Sequence, residues 1–301
     1  MSLRAFHSDR YTVPLPEGHR FPIEKYRMLR QLLLEREVLM PAQLAEAPLA
    51  HRDELALVHG AHYLHDVFEG GLDAAAQRRI GLPWSPELVL RSRASVGGTL
   101  AAAREALRRG ISGNLAGGTH HAFADHGEGY CVFNDIAVAT RVLQREGAVR
   151  RVAVIDLDVH QGNGTASIFA GDACVFTFSM HGEKNFPFRK QLSHLDVALP
   201  DGTGDDAYLE ALRHHLPHVI DRARPDLVFY QAGVDPLAED TLGRLSMTLE
   251  GLRARDAYVL GTARAKGLPM VLTMGGGYAR PISRTLEAHA GTYETAVRLF
   301  G

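Results

Sequence analysis

Asp156, Asp158 and His160 occupy alternate positions of the segment Arg151–Gly164, RVAVIDLDVHQGNG. In extended chain, alternate side chains share a face, so this spacing aims two carboxylates and an imidazole the same way at the end of an apolar run. Open α/β sheets bind their ligands at the carboxyl ends of such strands. Carboxylate and imidazole are good ligands for Zn2+ or Fe2+, and a catalytic zinc site needs about three protein ligands plus an open position. Read alone, the aspartates could instead cap the helix that Gly162 and Gly164 introduce, and D-x-D-x-H is short enough to arise often by chance. Asp235 closes DLVFYQAGVD, two residues after Gly233, and is a fourth candidate ligand; alone it is an ordinary turn aspartate before Pro236. Two carboxylates and one neutral imidazole would balance a divalent ion, and the residue types leave open which of the four supply them.

His120 and His121 follow Gly117 and Gly118 in NLAGGTHHAF, a segment too rich in glycine for a helix interior. A positioned imidazole is the usual general base for activating a water at a metal. A His-His pair by itself is usually structural, so its weight comes from its company. Tyr278 ends the run Gly275–Gly276–Gly277–Tyr278 directly after PMVLTM. Three glycines let the loop approach a substrate closely while presenting a phenol, a suitable oxyanion donor; the plain alternative is a strand-to-helix turn with a surface tyrosine. The i, i+3 spacing of His59, His62 and His65 has no obvious carboxylate or cysteine partner, and HExxH is absent. No P-loop, GxGxxG or GxSxG sequence supports a nucleotide-binding or serine-hydrolase reading. Cys131 reads as a small buried thiol rather than a nucleophile.

Groups this far apart in sequence need a scaffold that gathers strand ends. Arg151–Leu157, Cys174–Ser179, Asp226–Gln231 and Pro269–Met274 are continuously apolar, as parallel strands covered on both faces should be; another candidate strand lies near Leu3–Phe6. Helical period runs through Ile23–Arg36, Pro86–Arg109, Asp135–Glu146, Asp205–Ala223, Leu249–Lys266 and Pro281–Leu299. The alternation predicts an α/β sheet with helices on both faces, with Asp205 or Asp206 as an N-cap, and residues 1–301 as one domain. With 33 Lys and Arg against 35 Asp and Glu, a net charge of −2 offers no electrostatic footprint for nucleic acid or an anionic membrane. Two cysteines are too few for a disulfide framework, and neither a signal-peptide core nor an apolar run of about eighteen residues is present, so a cytoplasmic location is expected.

Taken together in their order, GGTHHAF, IDLDVHQGNG, QAGVDPL and GGGY resemble the histone deacetylase family. The resemblance runs from about His19, in GHRFPIEKY, to about Ala279; DLDVHQGNG together with that early stretch and LAEDTLGRLSMT is similar to class IV deacetylases and their bacterial relatives rather than to class I. It implies the arginase/deacetylase fold, a three-layer αβα arrangement around a mainly parallel sheet. It also implies Asp158, His160 and Asp235 as ligands of Zn2+, with Fe2+ the alternative. His121 would be general base and acid, His120 its electrostatic partner, Tyr278 the oxyanion donor, and Tyr130 a wall of an acyl-lysine tunnel. Asp156 would support His120 and help hold a structural monovalent cation, K+, together with Asp158, His160, Ser179 and carbonyls around Met180.

Asn163 stands where class I supplies an aspartate to the second histidine. Asparagine can orient the ring but adds no negative charge to raise its pKa, which favours a neutral His121 at pH 7. The reaction implied is hydrolysis of an acyl amide, with acetyl or longer acyl groups on lysine side chains of a peptide or protein as first substrate. An acetylpolyamine or other acylated small amine is the runner-up, and a non-catalytic acyl-ligand binding protein is third. The ureohydrolase cousins use two metals; the D-x-D-x-H pattern fits one.

Overall fold

The computed structural model describes residues 3–301. Among them eight strands form one sheet: β1 (Arg4–His7), β2 (Leu44–Glu46), β3 (Ile111–Asn114), β4 (Val152–Asp156), β5 (Val175–Gly182), β6 (Leu195–Leu199), β7 (Leu227–Gln231) and β8 (Met270–Thr273). The helices are α1 (Lys25–Glu35), α2 (Arg52–Leu55), α3 (Ala61–Glu69), α4 (Ala74–Ile80), α5 (Pro86–Arg109), α6 (Asp135–Arg145), α7 (Asn163–Ile168), α8 (Asp205–Ala223), α9 (Leu249–Ala265) and α10 (Ile282–Phe300). Strand order is β2-β1-β3-β8-β7-β4-β5-β6, and every neighbouring pair is parallel.

The central strands are buried on both faces, which is why their sequences do not alternate. Ala153 and Ile155 of β4 pack with Val228 and Tyr230 of β7 into one core, against α1, α8, α9 and α10. Val152, Val154, Leu227 and Phe229 point the other way, into a second core closed by α3, α5 and α6. The result is a three-layer αβα architecture, as the sequence predicts. Helix α5 has the predicted boundaries: Ser85 accepts from Leu88 N–H at its start, Pro86 is the first helical residue, and Gly110 ends it in the left-handed conformation at φ 86°. No helix of the described residues is long and apolar enough to cross a membrane.

The N-terminus of α8 departs from expectation. Its N-cap is Gly204, without a side-chain cap, and Asp205 is already helical. The Asp205 carboxylate instead accepts from the Thr248 N–H at 2.9 Å and the Thr248 hydroxyl at 2.6 Å, tying the starts of α8 and α9 together.

At their carboxyl ends the apolar strands stop in register. Asn114 pairs with Thr273, Thr273 with Gln231, Gln231 with Asp156, and Asp156 with Ser179, giving a polar row across five strands. All five residues are buried, so each needs a hydrogen-bond partner. The loops that follow these strands carry the candidate site residues.

Candidate active site

Three strand-end loops build the acidic centre. After β4 the chain presents Asp158 and His160, after β7 Asp235, and after β8 the glycine run. Each carboxylate is oriented by backbone amides. Asp158 accepts from His160 N–H at 2.9 Å and from Gly276 N–H at 2.7 Å. Asp235 accepts from Val159 N–H at 2.9 Å. His160 Nδ1 lies 3.0 Å from an oxygen of each carboxylate. The donor atoms of Asp158, His160 and Asp235 all fall within 4.8 Å of one another, and all three residues are buried.

Glycine is required at the meeting point. A Cβ on Gly276 would sit 1.8 Å from Asp235 Oδ2, and one on Gly233 would sit 2.4 Å from Asp158 Oδ2. The carboxylates occupy the space that side chains would take.

Burial and the neighbouring Asp158 charge push Asp235 above the usual carboxylate range. For Asp158 burial acts upward, but the His120 charge and the His160 hydrogen bond hold it well below that range. For His160 burial opposes protonation, yet the two carboxylates raise it to about 10. Two buried carboxylates thus demand a positive charge between them. A divalent cation bound to two carboxylate oxygens and one imidazole nitrogen satisfies the same demand, so the donor set fits a metal.

The histidine pair stands beside this centre in the loop after β3. His120 Nδ1 is 2.7 Å from Asp156 Oδ2, and His121 Nδ1 is 2.7 Å from Asn163 Oδ1. Their ring centroids are 4.1 Å apart. Burial works against a charge on both. The Asp156 and Asp158 carboxylates overcome it for His120, raising it to about 9. For His121 the Asn163 hydrogen bond and the Asp158 charge act upward but do not prevail, and burial with the charges of His120 and His160 drives it well below 6.5. The surroundings thus bias one imidazole toward its charged form and its neighbour toward the neutral one. Asn163 also donates through Nδ2 to Glu128 Oε2 at 2.9 Å, which fixes the amide so that its oxygen faces His121.

A cavity of about 610 Å³ opens over these groups, with His120, His121, Asp158 and His160 at its base and Tyr130, Phe186 and Tyr278 on its walls. Phe186 meets the His121 ring edge-on at 5.0 Å, and Tyr130 faces Tyr278 at 6.1 Å. Ser179 and Met180 lie one strand away on β5, Ser179 in register with Asp156 and bonded to His181 Nδ1 at 3.0 Å. The His59–His62–His65 spacing gathers no metal site: His59 is buried and accepts from Asn134 N–H at 3.1 Å, whereas His62 is almost fully exposed.

A histone deacetylase domain model matches residues 19–292. The chain belongs to the histone deacetylase family. It is 49% identical over 291 residues to an uncharacterized protein of Picosynechococcus, covering 97% of each chain. It is 33% identical over 286 residues to the histone deacetylase-like amidohydrolase of Pseudomonas aeruginosa, covering 88% of this chain and 74% of that one. Its fold matches the crystal structure of a histone deacetylase homologue from Aquifex aeolicus at a TM-score of 0.84, with 24% identity, over 98% of this chain and 84% of that one. Family membership makes the protein a deacetylase or amidohydrolase, a hydrolase acting on amides.

This family member braces its site with residues that sequence patterns did not single out. Asp240 accepts from the N–H groups of Leu242, Gly243 and Tyr278 at 2.8, 2.8 and 2.6 Å, anchoring the tyrosine loop. Lys25, fully buried on α1, points its ammonium at the carbonyls of Gly275 and Gly277 and lies 4.9 Å from the Tyr278 ring centroid. Asp135 accepts from Gly118 and Thr119 N–H, both at 2.8 Å, under the histidine loop. Arg255, buried on α9, donates to the carbonyls of Gly233 at 2.6 Å and Leu157 at 3.3 Å, in the loops that carry Asp235 and Asp158. Glycine pairs and a D-x-D-x-H pattern point to the site from residue type and spacing; Lys25 and Asp240 fall in the GHRFPIEKY and LAEDTLGRLSMT stretches that carry the resemblance, but no spacing marks them as braces.

Proposed function

We propose that the protein is a metal-dependent amide hydrolase that removes acetyl or longer acyl groups from lysine side chains, acting as one catalytic domain over residues 1–301. The observation that carries this is the convergence of the Asp158–His160–Asp235 cluster with a differentially charged histidine pair and Tyr278 around one cavity. Asp158, His160 and Asp235 would hold the metal, Zn2+ or Fe2+. When bound it would polarise the amide carbonyl and lower the pKa of water toward neutrality.

The chain's own residues do the rest. His121 donates Nδ1–H to Asn163, which leaves Nε2 free to take a proton from the attacking water. His120, kept positive against Asp156, offsets the negative charge that develops beside it and discourages a second proton on His121 until the attack has occurred. Protonated His121 then gives its proton to the departing amine, so water and amide become carboxylic acid and amine with no proton unaccounted for. The Tyr278 hydroxyl donates to the carbonyl oxygen as it gains charge. Tyr130 and Phe186 would flank the aliphatic stem of the acyl-lysine. Asp156, Ser179 and the backbone at Met180, with Asp158 and His160, would hold K+ behind the site. The free thiols of Cys131 and Cys174 accord with a reducing cytoplasm.

The decisive experiment combines metal analysis of the purified protein with turnover on acetyl-lysine and longer acyl-lysine peptides and acetylated polyamines. Tyr278→Phe should lower kcat by about 10² to 10³, the usual effect of losing one oxyanion donor. Full turnover in that variant would remove the role given to the phenol. A metal-loaded protein that hydrolyses none of these amides would instead be a binding protein.

A further inference from the structure

The cavity mouth carries a charge that composition hides. Over the whole chain acids slightly outnumber bases, yet the cavity is lined by Arg20, Arg78, Arg79, Arg91, Lys184 and Arg244 against one carboxylate, Asp158, which is committed at the base. These cations come from separate parts of the chain: the loop before α1, the last turn of α4, α5, the loop after β5 and the loop after β7. Among the described residues only Arg244 has a carboxylate partner, Asp201 at 3.3 Å. Arg91 lies over the rings of Phe21 and Tyr26. Two acids close to this lining in sequence are engaged elsewhere, Asp240 by three backbone amides and Glu128 by Asn163. A smaller cavity of about 410 Å³ shares Arg20, Thr241, Leu242 and Tyr278 with the first and adds Arg280.

Arg78 and Arg79 also answer the negative end of the α4 dipole, but that accounts for two of the six. Cations contributed by separate segments, mostly without carboxylate partners, give the cavity lining a positive potential that attracts anions. Resting on the amide-hydrolase reading, we propose that the mouth selects acyl-lysines set in acidic peptide segments. A lysine side chain entering the cavity leaves its own backbone and the flanking residues at the rim. Carboxylates one to three residues away then meet guanidinium groups able to bind them in two-point fashion. The free ammonium groups of an acylated polyamine would meet like charge at the same place.

The test compares kcat/KM for acetyl-lysine peptides flanked by Asp and Glu, by neutral residues, or by Lys and Arg. At about 0.01 M ionic strength the acidic peptide should lead the basic one by about tenfold or more, and the gap should shrink several-fold at about 0.5 M salt. The double variant Arg78→Glu/Arg79→Glu should narrow or invert the order. In parallel, fluorescence anisotropy with labelled peptides carrying a methyl-ketone isostere of acetyl-lysine reads binding without turnover. Equal kcat/KM for the three peptides at low salt would overturn the rim assignment and leave the hydrolase reading intact. Acidic preference in binding with no hydrolysis of any amide would keep the rim and remove the hydrolase. Faster hydrolysis of acetylspermidine, or of free Nε-acetyl-lysine with only its own carboxylate, than of the acidic peptide would refute the peptide assignment.

Discussion

Gly276→Ala isolates the cradle in which the acidic centre sits. Gly276 does not occupy the left-handed region, so alanine is allowed by the backbone and only the space matters. The new Cβ would lie 1.8 Å from Asp235 Oδ2 and 2.9 Å from Asp158 Oδ2, whereas real Cβ contacts under 3.0 Å are essentially never seen. Reaching 3.0 Å moves the Asp235 oxygen by 3.0 − 1.8 = 1.2 Å. That carboxylate is held by Val159 N–H and His160 Nδ1, so such a shift breaks the bonds that aim it. Overpacking of this kind costs about 1 to 3 kcal/mol, and a buried carboxylate that loses a partner about 1 to 3 kcal/mol more, against a gain below about 1 kcal/mol from a stiffer unfolded chain. A displacement of about 1 Å at reacting groups costs on the order of 10²-fold in rate. Metal content per chain, thermal unfolding with and without a chelator, and kcat/KM should therefore all fall together. Gly261→Ala, in the middle of α9 with nothing within 4 Å of its Cβ, is the control, and should gain about 0.5 to 1 kcal/mol. A Gly276→Ala protein with the metal content, melting temperature and turnover of the parent would refute this account of the cradle.

The His121–Asn163–Glu128 chain predicts that Asn163→Asp raises the pKa of His121 by placing a carboxylate against Nδ1, so kcat/KM should drop more at pH 6.5 than at pH 9; the same substitution in a Glu128→Gln background should cost less, and additive effects would break the chain. His59 is held near 4 by burial, against 6.5 when exposed. The unfolded state takes up the proton first as pH falls, so stability is full above pH 6.5 and declines toward pH 4, by about 3 kcal/mol at most; urea titrations of His59→Gln should be flatter over that window, and an unchanged slope would count against it. Arg255→Met leaves Asp256 buried without its partner and releases the Gly233 and Leu157 carbonyls, at a cost of about 3 to 5 kcal/mol. Arg255→Met/Asp256→Asn, which removes the unpaired charge and keeps an acceptor for the Tyr230 and Thr292 hydroxyls, should recover part of that loss in chemical denaturation, and a double variant less stable than the single one would contradict the pairing.

What the sequence made legible follows from how each element is stabilised. β4, β5, β7 and β8 were readable because burial on both faces leaves them continuously apolar. β3, with Ser112, Gly113 and Asn114, was not, since its polar residues serve tertiary bonds: Asn114 donates to Ser95 O and Thr99 Oγ1, both at 2.9 Å. β2 is only three residues long and β6 is a partly exposed edge. The helices with strong stop signals had nearly correct boundaries, while the Asp205 cap failed because Thr248 competes for that carboxylate from 43 residues away. At the site, residue types at fixed spacing exposed the candidate ligands. Lys25 and Arg255 are charged residues on helices with no partner nearby in sequence, and only the fold reveals that both are buried against distant loops.

The polar row links these observations. Thr273 donates to Gln231 Oε1 at 2.6 Å, and Gln231 Nε2 donates to the Gly118 carbonyl at 2.8 Å. The Gly118 N–H is taken by Asp135, so the peptide just before the histidine pair is gripped from the sheet below and from α6 at its side. A Cβ on Gly118 would fall 2.1 Å from Gln231 Oε1, and Gly118 itself sits at φ +79°. Glycine at this point therefore does two jobs, permitting the left-handed turn and letting the loop rest directly on the sheet. His120 then reaches Asp156, the next residue of the same row, at 2.7 Å. The different charges of the two imidazoles thus depend on a row of buried side chains, most of which have no chemistry of their own. Replacing Gln231 by an apolar residue would leave the Gly118 carbonyl and the Thr273 hydroxyl without that partner and loosen the loop that sets the His120–Asp156 distance, although Gln231 stands neither in the cavity lining nor among the candidate metal ligands.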